Sequence, residues 1–112
     1  MTHNEQIEIF EATFAQLKDT LNKKGADYAN EDKLSNFKLA GNIAGITPEI
    51  NCLSLIATKV ARLGVLLNNP QRNPSNESID DSIMDLANYT ILLRMILLEK
   101  RQNLGPTSNN KH

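Results

Sequence analysis

The sequence predicts an all-α protein, a small helical bundle of three long helices plus one short helix that assembles into an oligomer. Apolar residues recur at alternating steps of three and four in three long stretches, and segments rich in helix breakers separate those stretches. No alternating strand pattern intervenes. Composition agrees, because 40% of the 112 residues are hydrophobic and 22% charged, the balance of a chain with a packed core. One domain is expected over residues 1–103, with residues 104–112 as a disordered tail, because Gly105-Pro106-Thr107-Ser108-Asn109-Asn110-Lys111-His112 has nothing to bury.

The first helix is expected from about Asn4 to Lys24, where Ile7, Phe10, Phe14, Leu17 and Leu21 form one apolar stripe and Gly25 follows the last turn. Residues Ala26 to Lys33 read as a polar connection. Leu34 to Ile43 form the short helix, displaying Leu34, Phe37 and Leu39 to Ala40, with Gly41 and Gly45 making it marginal. The third helix starts at a favourable signal, Thr47 as N-cap, Pro48 at the first position and Glu49 in the first turn, and runs to about Asn68. Its stripe of Leu53, Ile56, Val60, Leu63 and Leu67 matches that of the first helix, so these two are expected to pack lengthwise. A breaker-rich loop, Asn69 to Asn76, precedes the longest helix, capped by Ser78 or Asn76 and continuing to about Gln102. Ile79, Ile83, Leu86, Thr90, Leu93 and Leu97 are its expected core face, and apolar residues on its other flanks predict a mostly buried, most apolar helix. Three neighbours in so small a chain cannot cover that perimeter, which is the reason to expect a homo-oligomer, a dimer or a tetramer.

A line of acidic residues interrupts the last helix. Asp81, Asp85 and Asn88, spaced by four and three, share one face, and Glu77 stands one turn before Asp81. Like charges at this spacing destabilise a helix by about 0.2–0.5 kcal/mol per pair, and burial between apolar flanks adds more. A compensating charge is therefore expected. Magnesium or manganese suits carboxylate oxygens, with Asp81, Asp85 and Glu77 as ligands; alternatively Asp81 and Asp85 pair with Lys59 and Arg62 of the third helix. Those two basic residues also suit phosphate oxygens, Lys as a point charge and Arg as a fork. Asn88 either orients Asp85, contacts a ligand or bonds a neighbouring helix.

Other function classes find little support. A formal net charge of -1 offers no general attraction to nucleic acid polymers or anionic membranes. The single cysteine, Cys52, has no intramolecular disulfide partner and no neighbours at zinc-ligand spacing, so a buried core thiol in a reducing, cytoplasmic setting is expected. The N-terminus lacks the pattern of a signal peptide, and Asp85, Asn88 and Arg94 argue against a membrane span in the last helix. Arg94, Lys100 and Arg101 read as a solvent-facing bias near a helix C-terminus.

Lys24-Gly25-Ala26-Asp27-Tyr28, then Asn36-Phe37, Lys59-Val60-Ala61-Arg62-Leu63 and the run from Glu77 to Tyr89 resemble, in order and spacing, the nucleotide modification associated domain, type 1, of phages and bacteria. The resemblance covers about residues 17–98. That family is similar to the all-α nucleotide pyrophosphohydrolases of the MazG and dimeric dUTPase group, oligomeric helical bundles that use magnesium to cut between the α and β phosphates of nucleoside triphosphates. The resemblance implies catalytic roles for Asp81 and Asp85 in the host cytoplasm. It also draws Asp27, Tyr28 and Asn36 into the site, Tyr28 as a stacking surface for a base, although turn chemistry alone also explains Asp and Asn there. Where the larger group carries a Glu-x-x-Glu pair on one helix, this chain has Lys59 and Arg62; Asp27, Glu31 and Asp32 are the nearest substitutes in the preceding loop.

Three functions follow as expectations. The first is a metal-dependent nucleotide pyrophosphohydrolase. The second is a nucleotide-binding protein without turnover, such as a phage protein that sequesters a nucleotide signal. The third is a structural helical oligomer whose acidic line pairs across an interface.

Overall fold

A computed structural model describes residues 1–26, 34–69 and 76–103, with the side chains of 24–26 and 76–77 outside the description. The expected loops and tail, including Asp27, Tyr28, Glu31 and Asp32, lie outside the described residues. Every regular element among the described residues is α-helical. The chain divides into two compact units, residues 1–33 and 34–112, each described by itself.

The first unit contains α1, His3–Ala26. Its start is a capping box: the Glu5 N–H donates to Thr2 Oγ1 at 3.1 Å, and the Thr2 N–H donates back to Glu5 Oε1 at 3.3 Å. The helix runs through Gly25, the expected stop, to Ala26, since one glycine near a helix end costs only about 1 kcal/mol. Ile7, Phe10 and Phe14 are exposed, as α1 is the one element among the described residues of its unit and has no other there to bury a stripe against.

The second unit contains α2 (Ser35–Ala44), α3 (Pro48–Asn68) and α4 (Asn76–Asn103). The glycines expected to weaken α2 instead end it. Gly45 adopts the left-handed conformation at φ 74°, and the N–H groups of Gly45 and Ile46 donate to the carbonyls of Asn42 and Gly41. A Cβ on Gly41 would lie 2.8 Å from the Ile46 carbonyl oxygen, so the turn back into α3 requires glycine there. α3 begins as its sequence predicts, with the Ile50 N–H donating to Thr47 Oγ1 at 3.3 Å and Pro48 opening the first turn. Ser78 is not a cap: it lies inside α4, and its carbonyl accepts from Ser82 Oγ at 3.0 Å.

α3 and α4 run antiparallel, as their cross-links show: Glu49 pairs with Lys100, Cys52 Sγ donates to the Tyr89 carbonyl at 3.3 Å, and Lys59 pairs with Asp85. α2 lies over one flank of that pair, inserting Leu34 and Phe37 beside Cys52 and Ile96 to form the core. Leu55, Ile56, Tyr89, Leu92 and Leu93 pack around it. Asn51 Nδ2 donates to the Phe37 carbonyl, and Lys38 pairs with Glu99, tying α2 to both long helices.

The apolar stripes are used differently from expectation. On α3, Ile56 and Leu63 turn partly inward, but Leu53, Val60 and Leu67 are exposed. On α4, Ile83, Thr90 and Leu97 are exposed while Ile79, Leu86 and Leu93 are half-buried, Leu93 against the core, so only part of the expected core face is used. The contact face is instead Ser82, Asp85, Tyr89, Leu92 and Ile96. Nor is α4 mostly buried, because Ile96 alone among its described apolar residues is. It is the longest helix, but α3 is the more apolar, long and apolar enough by length and composition to cross a membrane. Periodicity reports the width of an apolar arc but not which edge of it meets a neighbouring helix.

Candidate functional site

The candidate site lies on the α3–α4 seam beyond the apolar core. One face of α4 brings Asp81, Ser82, Asp85 and Asn88 to the seam at helical spacing, and α3 answers with Lys59 and, three residues on, Arg62. Asp85 Oδ2 lies 3.0 Å from Lys59 Nζ, with the side chains 35% and 23% exposed, so the expected compensation of this acid is realised within the chain. The ion pair is half-buried and still partly screened by solvent, which limits its worth to about 0.2–1 kcal/mol. Its larger effect is to fix both charged ends at one point of the seam.

The neighbouring residues grade from wet to dry. Asp81 and Arg62 are exposed, and no ion pair joins them to each other or to Asp85 and Lys59 among the described residues. Ser82 and Asn88 are buried, at 2% and 7% exposure, where apolar packing alone would place hydrocarbon. Ser82 returns its hydroxyl to its own helix, donating to the Ser78 carbonyl at 3.0 Å. Sequence reasoning overlooked Ser82, although its position three residues before Asp85 puts it next to that acid on the helix surface.

The remaining predicted residues are not gathered in. Asn36 is exposed in the first turn of α2. Glu77 belongs to the first turn of α4, but its side chain, like Asp27 and Tyr28, lies outside the described residues. Tyr89 is half-buried against the core, and Cys52 is fully buried as expected, its thiol pushed up by burial. That thiol is a poor nucleophile.

Hard divalent cations take oxygen donors, and magnesium commonly uses one or two protein carboxylates, with water or phosphate completing its shell. Asp81 and Asp85 fit such an ion in kind. Lys59 competes for one oxygen of Asp85, and among the described residues no group of three or more His, Cys, Asp or Glu side chains stands together as a ligand set. Glu77, whose side chain lies outside the described residues, is the remaining carboxylate expected as a ligand on α4.

The arrangement can present two cationic side chains and two carboxylates along one seam, which suits an anion accompanied by a metal better than a neutral ligand. Comparison of the chain with protein-family models, curated proteins and solved structures gives no match in any of the three.

Proposed function

We propose that this chain is a nucleotide pyrophosphohydrolase acting on nucleoside triphosphates or related nucleotides, as a cytoplasmic homo-oligomer that uses magnesium or manganese. The observation that supports this reading is the half-buried Lys59–Asp85 pair, with Asp81 one turn away on α4 and Arg62 beside Lys59 on α3. Lys59 and Arg62 hold and orient phosphate oxygens; a phosphate arriving at Lys59 exchanges one anionic partner for another and frees Asp85. Asp81 and Asp85 would hold the cation, with Glu77 a further ligand, and Asn88 would orient Asp85. A cation bound there supplies charge neutralisation to the phosphates and acidity to a water. One carboxylate accepts a proton from the attacking water, the new P–O bond forms at the α phosphorus, and pyrophosphate leaves.

A second reading has a specific observation in its favour. α3 carries Lys59 where a carboxylate pair would complete a metal centre, and Lys59 already neutralises Asp85, an arrangement suited to sequestering a nucleotide without turnover. Incubation with a panel of nucleoside triphosphates and magnesium or manganese separates the two. Monophosphate plus pyrophosphate, lost in Asp85→Asn, is the expected result. Intact nucleotide with a raised melting temperature would support sequestration, and neither product nor stabilisation would leave a structural oligomer.

A further inference from the structure

Among the described residues, Lys59 and Asp85 have no charged partner but each other. Lys59 Nζ stands 3.0 Å from Asp85 Oδ2, the two side chains 23% and 35% exposed, while the other ion pairs lie elsewhere, Lys38 with Glu99, Lys100 with Glu49 and Lys23 with Asp19. Asp81 and Arg62, one turn away on their respective helices, are exposed and join neither member. The buried polar residues on the same stretch of α4, Ser82 and Asn88, are neutral. Whatever separates Lys59 from Asp85 therefore leaves two charges that no other described side chain balances, each still partly shielded from water by the helices.

An anion that takes Lys59 has to displace a carboxylate already in its place. It then lies beside that carboxylate, now without its partner, and like charges in a half-buried seam repel more strongly than in bulk water. Both effects oppose an anion that arrives alone. A lone cation at Asp85 meets the mirror image, a displaced ammonium that stays next to it. When the two arrive together, one ion pair is exchanged for two and no charge is left over.

We propose that the Lys59–Asp85 pair is an autoinhibitory contact, in which Asp85 stands in for a phosphate at Lys59 and acts as a tethered competitor of the anion. Deleting the charge of Asp85, or neutralising it with a divalent cation, releases Lys59 for the anion, so cation and anion each raise the affinity of the other by the same factor. The inference rests on the reading of this seam as a phosphate site and adds a second role for Asp85, which in that reading serves turnover and here restrains binding. The two roles pull apart in one variant: Asp85→Asn loses turnover and gains affinity for a metal-free anion.

Isothermal titration calorimetry of the full chain with inorganic pyrophosphate, in low-salt buffer stripped of divalent cations on a chelating resin, is the test. Asp85→Asn should bind pyrophosphate about two- to fivefold more tightly than wild type, within the range that ion pairs of this exposure carry. Asp81→Asn removes the same charge from the same helix but from outside the pair, and should tighten binding by a smaller factor. In a Lys59→Met background the two substitutions should become equivalent, because no competition for Lys59 remains. Circular dichroism checks that helix content is kept, and Asp85→Ser takes the place of Asp85→Asn if that variant loses its helices. Lys59-dependent binding that Asp85→Asn leaves unchanged or weakens would overturn the inference while the phosphate site stands. Equal tightening by Asp81→Asn and Asp85→Asn would also overturn it, reducing the effect to the net charge of the seam. If neither wild type nor any folded variant takes up pyrophosphate, the phosphate reading itself falls and the autoinhibitory role with it.

Discussion

The α3–α4 seam has two halves of opposite character built on one helical register. Near Cys52 and Ile96 it is dry and covered by Leu34 and Phe37 of α2; near Lys59 and Asp85 it is polar, half-open and flanked by Arg62 and Asp81. The first half holds the helices together by excluding water. The second holds charges at defined positions with little net gain, since an ion pair of that exposure roughly balances desolvation against attraction. The comparison separates the residues that make the fold from those available for chemistry.

The largest expected effect tests the dry half. Phe37→Ala should cost about 3–5 kcal/mol in a urea unfolding curve, because it deletes an aromatic ring from a four-residue buried cluster; a loss below about 1 kcal/mol would mean that α2 is not an integral part of the unit. Gly41→Ala should cost about 1–3 kcal/mol, as its Cβ meets the Ile46 carbonyl oxygen at 2.8 Å and the backbone has to shift. Thr47→Ala should cost about 1 kcal/mol through loss of the cap. In the polar half, Lys59→Met should change stability by less than about 1 kcal/mol; a much larger loss would show that this half is as dry as the first and erase the contrast.

The smallest effect is one of pH. Glu49 lies below the usual carboxylate range of 4.5, chiefly through its hydrogen bond from Lys100. A carboxylate with a lowered folded pKa contributes stability above its unfolded pKa and loses it as pH falls through the folded value. The melting temperatures of wild type and Lys100→Gln should therefore differ at neutral pH and converge under acid conditions. A gap that persists in acid would assign the role of Lys100 to packing of its aliphatic stem.

Much of this architecture is legible in the sequence. The three-four spacing marks the long helices, and Thr47-Pro48-Glu49 marks the start of α3 to the residue, because capping chemistry is local. The Thr2 to Glu5 capping box was equally legible and overlooked. The edge of an apolar arc that a helix spends on its neighbour is not local: Ile83 and Leu97 match a core pattern better than Ser82 and Asn88, yet the latter are buried. In the site, Lys59 is legible as a candidate partner of Asp85, since an acidic line on one helix calls for a compensating charge on the next. The separate exposure of Asp81 and Arg62 depends on the rotation of both helices about their axes, which spacing within one helix does not determine.

The lone thiol of the chain is enclosed between the two long helices, with its hydrogen on the Tyr89 carbonyl. Any reagent that labels it must wait for the helices to part, so the modification rate of Cys52 is a clock for opening of the seam. A nucleotide, a cation or a second subunit that clamps α3 to α4 would slow that clock, and the native chain carries its own reporter for each without an added probe.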